Sequence, residues 1–473
     1  MIGHNPLTTY KAAVIGAGSG GLTMAIGLSN FGHDIVLIEG DKIGGDCTNV
    51  GCIPSKSLLH AARAGVADPL DWVRARRDGL AAHEDVEMET HDHIHLVRGW
   101  ARLTKSENGA HVVCVSGPDG DLEVRAENVI VSTGSRPIEI PVEGLGPERV
   151  LTNENIFEME TVPDTIVLIG GGVISLEMAT AFLDLGSEVH IVELAERLIG
   201  MEDPLVSSTI EAALRDRGAH LHTSTSIERF DEALQTAHLT NGDAIVGVDK
   251  VLIGIGRRPK LAGLGLEEAG VDLARNGIVA DDWGRTSVDG VYAVGDVTGN
   301  TATTHGANSI ARRTIRAIAL PLPKIGNARA LPSAVYCRPQ IASVGLTMTE
   351  LDALPEIGRI RLVKHLKEID RGLTDDVEHG FVAVDAERFT GKILRAAIVA
   401  TDAAEMIGMF TIMIDNGLGL RKLFGTVHPY PAYSQAIGFI ADEFATATFR
   451  SLPREWWAMM RGRVAKRRKR GTS

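Results

Sequence analysis

Cys47 and Cys52 are separated by four residues in GGDCTNVGCIPSK, Gly44 to Lys56, with a glycine pair ahead of them and Pro54, Ser55 and Lys56 behind. Two thiols this close, in a long chain with only four cysteines, suit a catalytic pair or part of a metal site rather than a secreted disulfide framework. A tetrahedral zinc site needs two more ligands at suitable spacing, and none is nearby in sequence. Cys52 directly precedes Ile53 and Pro54. Proline is favoured in a first helical turn, so Cys52 is expected at a helix N-terminus, where the positive dipole end favours a thiolate.

The elements around this stretch begin with a buried strand over Tyr10 to Ile15, then GAGSGG from Gly16 to Gly21. A helical segment from Leu22 to Phe31 and a second strand from Asp34 to Ile38 follow, ending at Glu39. Strand, glycine turn, helix, strand and acid make the dinucleotide-binding βαβ unit. Gly16 permits the tight turn, Gly18 lets backbone approach a pyrophosphate, and Gly21 lets helix and strand pack closely. Glu39 can accept hydrogen bonds from a ribose. The unit recurs: strand Thr165 to Ile169, GGGVIS from Gly170 to Ser175 with Gly172 inside it, helix, and strand Glu188 to Val192 ending at Glu193. Glu193 stands as far beyond Gly170 as Glu39 stands beyond Gly16. Two such units imply two nucleotide cofactors.

Two further stretches repeat. VIVSTGSRP carries Thr133 and Gly134, and VLIGIGRRP carries Gly256; both are apolar strands stopping at glycine, arginine and proline. GVYAVGDVTG then places Gly295 and Asp296 after a strand, where an acid can accept hydrogen bonds from a polyol. After Pro321 and Pro323 the pattern changes to that of an antiparallel sheet with helices. The expected class is α/β: two Rossmann-like dinucleotide-binding domains and a C-terminal α+β domain. The boundaries fall at 1–150, 151–280, 281–328, 329–450 and a basic tail, 451–473, with a linker from Leu320 to Ala330.

Composition sets limits. The 473 residues, 44% hydrophobic and only 4% aromatic, suit several domains built on buried parallel strands. No apolar run reaches the ~18 residues of a membrane span, and the short run Ala12 to Ile15 is not a signal peptide, so a cytoplasmic protein is expected. The net charge is −13, although residues 454–473 carry eight Lys/Arg against Glu455 alone. So acidic a body argues against nucleic-acid binding. The tail, with Trp456 and Trp457, offers weak contact with a membrane surface. His91, His93 and His95 alternate and are expected on one face of a strand, read as an exposed face rather than a metal site. Cys114 and Cys337 read as inert core thiols.

The ordered set GAGSGG, GGDCTNVGCIPSK, STGSRP, GGGVISLE and YAVGDV resembles the class I pyridine nucleotide–disulfide oxidoreductases, the family of dihydrolipoamide dehydrogenase, glutathione reductase and mercuric reductase. The resemblance covers about residues 10–440. It implies FAD on the first unit, with Gly45, Thr133, Gly134, Gly295 and Asp296 at the flavin nucleotide. It places NAD(P) on the second unit, with Gly170, Gly172, Glu193 and Gly256, and a homodimer whose active site is shared between subunits. It further implies a Cys47–Cys52 redox disulfide, with Cys52 toward the flavin and Cys47 as the interchange thiol. Lys56 falls beside the flavin with Glu177 as its partner. An acid at Glu193 repels a 2′-phosphate, so NADH is preferred over NADPH, with Arg197 as the opposing feature.

One stretch departs from the family. Dithiol-handling members carry a His–Glu pair in H-P-T-x-S-E, whereas this chain reads TVHPYPAYSQA. Aligning Ser434-Gln435 on the final S-E puts Tyr430 at the base and Gln435 at its orienting acid. Phenol near pKa ~10 stays protonated where imidazole near ~6.5 would shuttle a proton. Tyrosine here resembles mercuric reductases, but no cysteine follows Cys337, so their C-terminal cysteine pair is missing. The expected activity is NADH oxidation with a soft metal ion, a small disulfide or a quinone-like oxidant as acceptor. Dihydrolipoyl dehydrogenase is the second reading, and a membrane- or complex-recruited flavoprotein with vestigial turnover the third.

Overall fold

A computed structural model describes residues 9–105, 109–118, 120–299, 303–320, 330–356 and 358–448. The chain forms two compact units: residues 1–198 with 218–329, and residues 199–217 with 330–473.

The first unit holds both nucleotide repeats. Its first sheet runs in the order Ile94–Arg98, Ile35–Glu39, Thr9–Ile15, Gly120–Val131, His111–Gly117 and Trp100–Leu103, and Val291–Ala293 also pairs with Gly120–Val131. The strands around Thr9–Ile15 are parallel. Ala13 and Ile15 enter one core cluster and Ala12 and Val14 the other, so consecutive residues are apolar because both faces of the sheet are covered. The second sheet is wholly parallel, in the order His220–Thr223, Glu188–Glu193, Thr165–Ile169, Lys250–Ile253 and Val150–Leu151. A three-stranded antiparallel sheet, Ile227–Asp231, Thr236–Leu239 and Ala244–Ile245, supplies Phe230, Ala237 and Leu239 to a core shared with Val167, Val192 and Ile253.

The second unit is the expected antiparallel sheet with helices. Ser333–Val335, Gln340–Gly345, Ile393–Ala400, Phe381–Glu387 and Arg359–His365 form it. The helix Ala403–Asp415 packs Ile407, Phe410 and Met413 into its core. Residues 199–217, assigned to the nucleotide domain on sequence, belong to this unit. Charge explains their position. Arg361 bonds Asp203, Arg395 bonds Glu202, and His379 lies 2.6 Å from Asp216.

The structure corrects two readings. His91 and His93 precede the strand Ile94–Arg98 rather than sharing a face with His95, because the helix Pro69–Thr90 runs up to the turn that holds them. His91 lies 3.3 Å from the Ser29 hydroxyl, His93 2.9 Å from Asp34, and His95 packs edge-on against Tyr10. Cys337 is buried, but Cys114 is exposed, since Cys114 and Ser116 share the solvent-facing side of the strand His111–Gly117. Residues 321–329 of the linker and the whole basic tail lie outside the described residues. Among the described residues, no helix is long and apolar enough to cross a membrane.

Candidate active site

The two glycine loops are built alike. Gly16 and Gly170 both have φ +98°, and a Cβ would lie 2.5 Å from the Ser132 carbonyl at the first and 2.7 Å from the Gly254 carbonyl at the second. Side chains are excluded from both turns. At Gly21 a Cβ would sit 1.8 Å from the Gly16 carbonyl; Ser175, its counterpart, is fully buried. Gly18 and Gly172 precede the helices Ser19–Ser29 and Val173–Asp184 with no side-chain cap. The first N–H groups of both helices are thereby left for an anion. Glu39 accepts from the backbone N–H of Ala17 at 2.6 Å and of Asp41 at 2.8 Å, and Glu193 accepts from those of Gly171 and Ala195. Each carboxylate is fixed in place and keeps lone pairs for ribose hydroxyls. Beside Glu39 opens a cavity of ≈ 730 Å³, lined by Gly40, Asp41, Arg98 and Trp100 among others. This lies within the ~300–1,000 Å³ range of ligand sites. Uncapped helix ends, fixed acids and side-chain-free turns fit a dinucleotide at each loop.

The glycine pair ahead of the cysteines has a visible reason. Gly44 and Gly45 both have positive φ, and a Cβ on Gly45 would lie 2.7 Å from the Cα of Gly18. The cysteine segment thus crosses directly over the first glycine loop. The buried Asn49 amide holds the crossing, donating to the carbonyls of Ile43 at 2.8 Å and Gly45 at 2.9 Å. Cys47 sits on the short helical turn Gly45–Asn49, and the following helix, Cys52–Ala64, begins at Cys52.

The two sulfurs share a hydrogen bond and titrate as a pair. That bond holds Cys52 down at about 6, helped by the Thr304 hydroxyl and the Lys56 ammonium against the opposing effects of burial and Glu177. The same bond, with burial, pushes Cys47 up. Thr304 Oγ1 lies 3.5 Å from Cys52 Sγ. The pair therefore keeps one proton, on Cys47, at neutral pH. Because the Cys52 pKa is lowered, its thiolate is present above pH about 6 and lost as pH falls through it. In the two-electron-reduced holoenzyme, the long-wavelength absorbance of a thiolate beside flavin should be half-maximal near that pH. A midpoint near the ordinary thiol value would show that the sulfurs do not share their proton.

One helical turn beyond Cys52, Lys56 Nζ lies 2.9 and 2.8 Å from the two oxygens of Glu177. Glu177 is 4% exposed and belongs to the helix of the second nucleotide repeat, so the pair ties the two repeats together.

Arg257 is a residue that the sequence reading missed. Its guanidinium bonds Asp46, next to Cys47, together with Asn153 at 2.9 Å and Ser135 Oγ at 2.8 Å. Ser135 in turn donates to Asp296 at 2.7 Å. The signal was present, since the two arginine–proline stretches pair antiparallel with Arg257 opposite Pro137, but the sequence did not show that they meet. Thr133, Gly134 and Gly256 lie in the same joint. The Thr133 hydroxyl donates to the Lys260 carbonyl at 2.8 Å. The Gly134 carbonyl accepts from the Lys260 N–H at 3.0 Å, and the Gly256 carbonyl from the Ile138 N–H at 3.0 Å. Gly295 has φ +86°, immediately before Asp296.

In the second unit, Tyr430 is 70% exposed and its phenol is hydrogen-bonded to Asp370, whose negative charge pushes its pKa up. The Gln435 side-chain carbonyl accepts from the Ala432 N–H at 3.4 Å, closing its own turn. His428 packs its ring against Gly438, and its Nε2 is buried with no hydrogen-bond partner among the described residues.

Residues 10–311 match the family model described as pyridine nucleotide-disulphide oxidoreductase, and residues 331–439 match its dimerisation domain. Dihydrolipoyl dehydrogenase 3 of Haloarcula marismortui is 31% identical over 92% of this chain and 97% of that relative. Mercuric reductase of Streptomyces lividans is 32% identical over 93% and 97%. Among solved structures, the HOCl-induced flavoprotein disulfide reductase RclA from Escherichia coli superposes with a TM-score of 0.83 at 26% identity, covering 92% of this chain and 99% of that one. The matched models, the near-complete coverage and the paired glycine loops around a close thiol pair together establish that the chain belongs to the pyridine nucleotide–disulphide oxidoreductases, as a flavin-dependent enzyme that uses FAD and NAD(P)H and carries the family's dimerisation domain.

Proposed function

We propose that the protein oxidises NADH and uses the electron pair to reduce a soft metal ion or a small disulfide at Cys47. The observation that carries this reading is the close thiol pair, Cys47 on its helical turn and Cys52 at the start of the next helix, with the Lys56–Glu177 pair one turn beyond. Bound FAD supplies a two-electron relay between reduced nicotinamide and the disulfide. Gly16, Gly18, Gly21, Gly45, Glu39 and Asp296 would hold it; Gly170, Gly172 and Glu193 would hold the nicotinamide nucleotide. A carboxylate at Glu193 favours a free ribose 2′-hydroxyl over a 2′-phosphate.

Reduction of the Cys47–Cys52 disulfide by two electrons and one proton leaves the Cys52 thiolate and the Cys47 thiol. Cys47 passes its proton to Cys52 and attacks one sulfur of the acceptor disulfide, releasing the first product thiolate. Cys52 gives that proton to the released thiolate, attacks Cys47, re-forms the protein disulfide and releases the second thiolate. Lys56, anchored by Glu177, keeps positive charge near Cys52 throughout. With a metal thiolate complex, Cys47 displaces a bound thiolate instead. Tyr430, facing Cys47 across the shared site in this reading, would steady a leaving thiolate by a hydrogen bond while keeping its own proton. Its phenol, raised further by Asp370, is a poor base.

The second reading, dihydrolipoamide oxidation, is favoured by the relatives named dihydrolipoyl dehydrogenase. A steady-state acceptor screen separates the two. NADH should exceed NADPH in kcat/KM by at least about tenfold. NADH-driven turnover of Hg(II) in excess thiol, or of a small disulfide, should exceed NAD-dependent dihydrolipoamide oxidation by about 10²-fold or more, since a positioned base contributes ~10²–10⁴. Dihydrolipoamide oxidation as fast as the other reactions would give the second reading precedence. No NADH consumption with Hg(II) removes the metal branch.

A further inference from the structure

The strand Glu188–Glu193 and the edge strand His220–Thr223 carry a cluster of ligating side chains that the redox site does not use. His190 stands opposite His220 in the parallel register, and side chains two apart share a face, so Glu188, His190, His220 and His222 project together. The His190 and His220 rings stack with centroids 4.6 Å apart at 17°. Glu188 Oε1 lies 3.1 Å from His190 Nε2 and 3.6 Å from His220 Nε2. One ligand atom from each of the three residues falls within 4.8 Å of the others. Zinc held at ~2.0–2.2 Å by nitrogen and oxygen in a tetrahedron sets its ligand atoms roughly 3.3 Å apart, and the two measured separations bracket that value. On the far side of its ring, His190 Nδ1 is 3.1 Å from His222 Nε2. A proton on Nδ1 donated to His222 leaves the Nε2 lone pair facing Glu188 and His220, the arrangement in which a ligating imidazole is held. His190 is buried while Glu188 and His220 are about half exposed, so an ion enters from solvent and keeps an open position for water.

We propose that Glu188, His190 and His220 bind one divalent transition-metal ion, Zn(II) by donor set, at the edge of the second nucleotide sheet. His222 orients the buried ligand from behind. The ion would pin the edge strand to its neighbour. Along the strand, His190 stands three residues from Glu193, roughly 10 Å in extended chain, so the ion and the nucleotide ribose do not compete.

The test is calorimetric titration of tag-free, disulfide-oxidised holoenzyme with ZnCl₂, with thermal midpoints measured in parallel. One ion per chain is expected, with a midpoint that rises with Zn(II). Glu188→Gln and His220→Ala, both at exposed positions, should each weaken binding by at least tenfold and abolish the thermal shift. A Cys47→Ser/Cys52→Ser variant should bind as the parent does. Absence of saturable binding, equal affinity in Glu188→Gln and His220→Ala, or loss of binding with the cysteines would each overturn the assignment.

Discussion

Serine in place of Cys52 lowers NADH-driven reduction of any acceptor by at least about 10⁴-fold, with the protein still folded and loaded with FAD. The loss is expected to be this large because the two sulfurs act as one device. A hydroxyl forms no disulfide, so removing either sulfur removes the whole relay, and groups that act as a unit show near-total loss on single replacement. Serine is nearly isosteric and keeps the helix start at Cys52, so the fold should not report the change. Spectroscopy distinguishes the two positions. Cys52→Ser loses the long-wavelength absorbance at every pH. Cys47→Ala loses turnover but keeps the absorbance, displaced to higher pH, because the Cys47 hydrogen bond is the largest influence holding Cys52 down. Turnover above about one per cent of the parent in Cys52→Ser would exclude a disulfide relay.

The second large effect is on stability. Lys56→Met leaves the Glu177 carboxylate without its ammonium partner, at a site where the Glu177 side chain is only 5% exposed. Breaking a buried pair costs ~3–5 kcal/mol, because a charge stripped of water loses its counter-charge. Solvent reaches the Lys56 side chain, 35% exposed, so a loss of about 3 kcal/mol is expected, read as a fall in the thermal midpoint of the holoenzyme. Lys56→Met/Glu177→Leu removes both charges and should recover most of that loss, since replacing both partners of a buried pair by apolar groups is often close to neutral. The double variant should stay impaired in turnover, with the Cys52 titration moved little, because the ammonium that lowers it and the carboxylate that raises it are lost together. A single variant as stable as the parent, or a double variant no better than the single, would contradict this account of the pair.

Much of the fold was legible in the sequence because its signals are local. A turn that admits no Cβ demands glycine, and both repeats announce themselves by Gly16 and Gly170, each at φ +98°. A strand covered on both faces reads as an unbroken apolar run, as at Ala12 to Ile15. Proline in the first turn marked the helix that begins at Cys52. The C-terminal unit was visible in the change of pattern after Pro321 and Pro323.

What the sequence could not state was which distant side chains meet. Arg257 reaches Asp46 across 211 positions because two arginine–proline strands from different repeats pair with each other. Tyr430 carries in its sequence neighbourhood no sign of Asp370, whose carboxylate raises its pKa. Three alternating histidines, His91, His93 and His95, drew attention as a candidate cluster and were dispersed by the turn that precedes their strand. The cluster that does form needs Glu188 and His190 from one strand and His220 and His222 from the next. Either pair alone is an unremarkable alternation; together they exist only in the parallel register that sets His190 opposite His220. The sequence by itself determined the close thiol pair and the two glycine loops, because backbone geometry there is dictated residue by residue. The tertiary structure decided the Arg257 network, the partner of Tyr430 and the imidazole cluster, because strand register and packing, which no local rule specifies, choose the neighbours of each side chain.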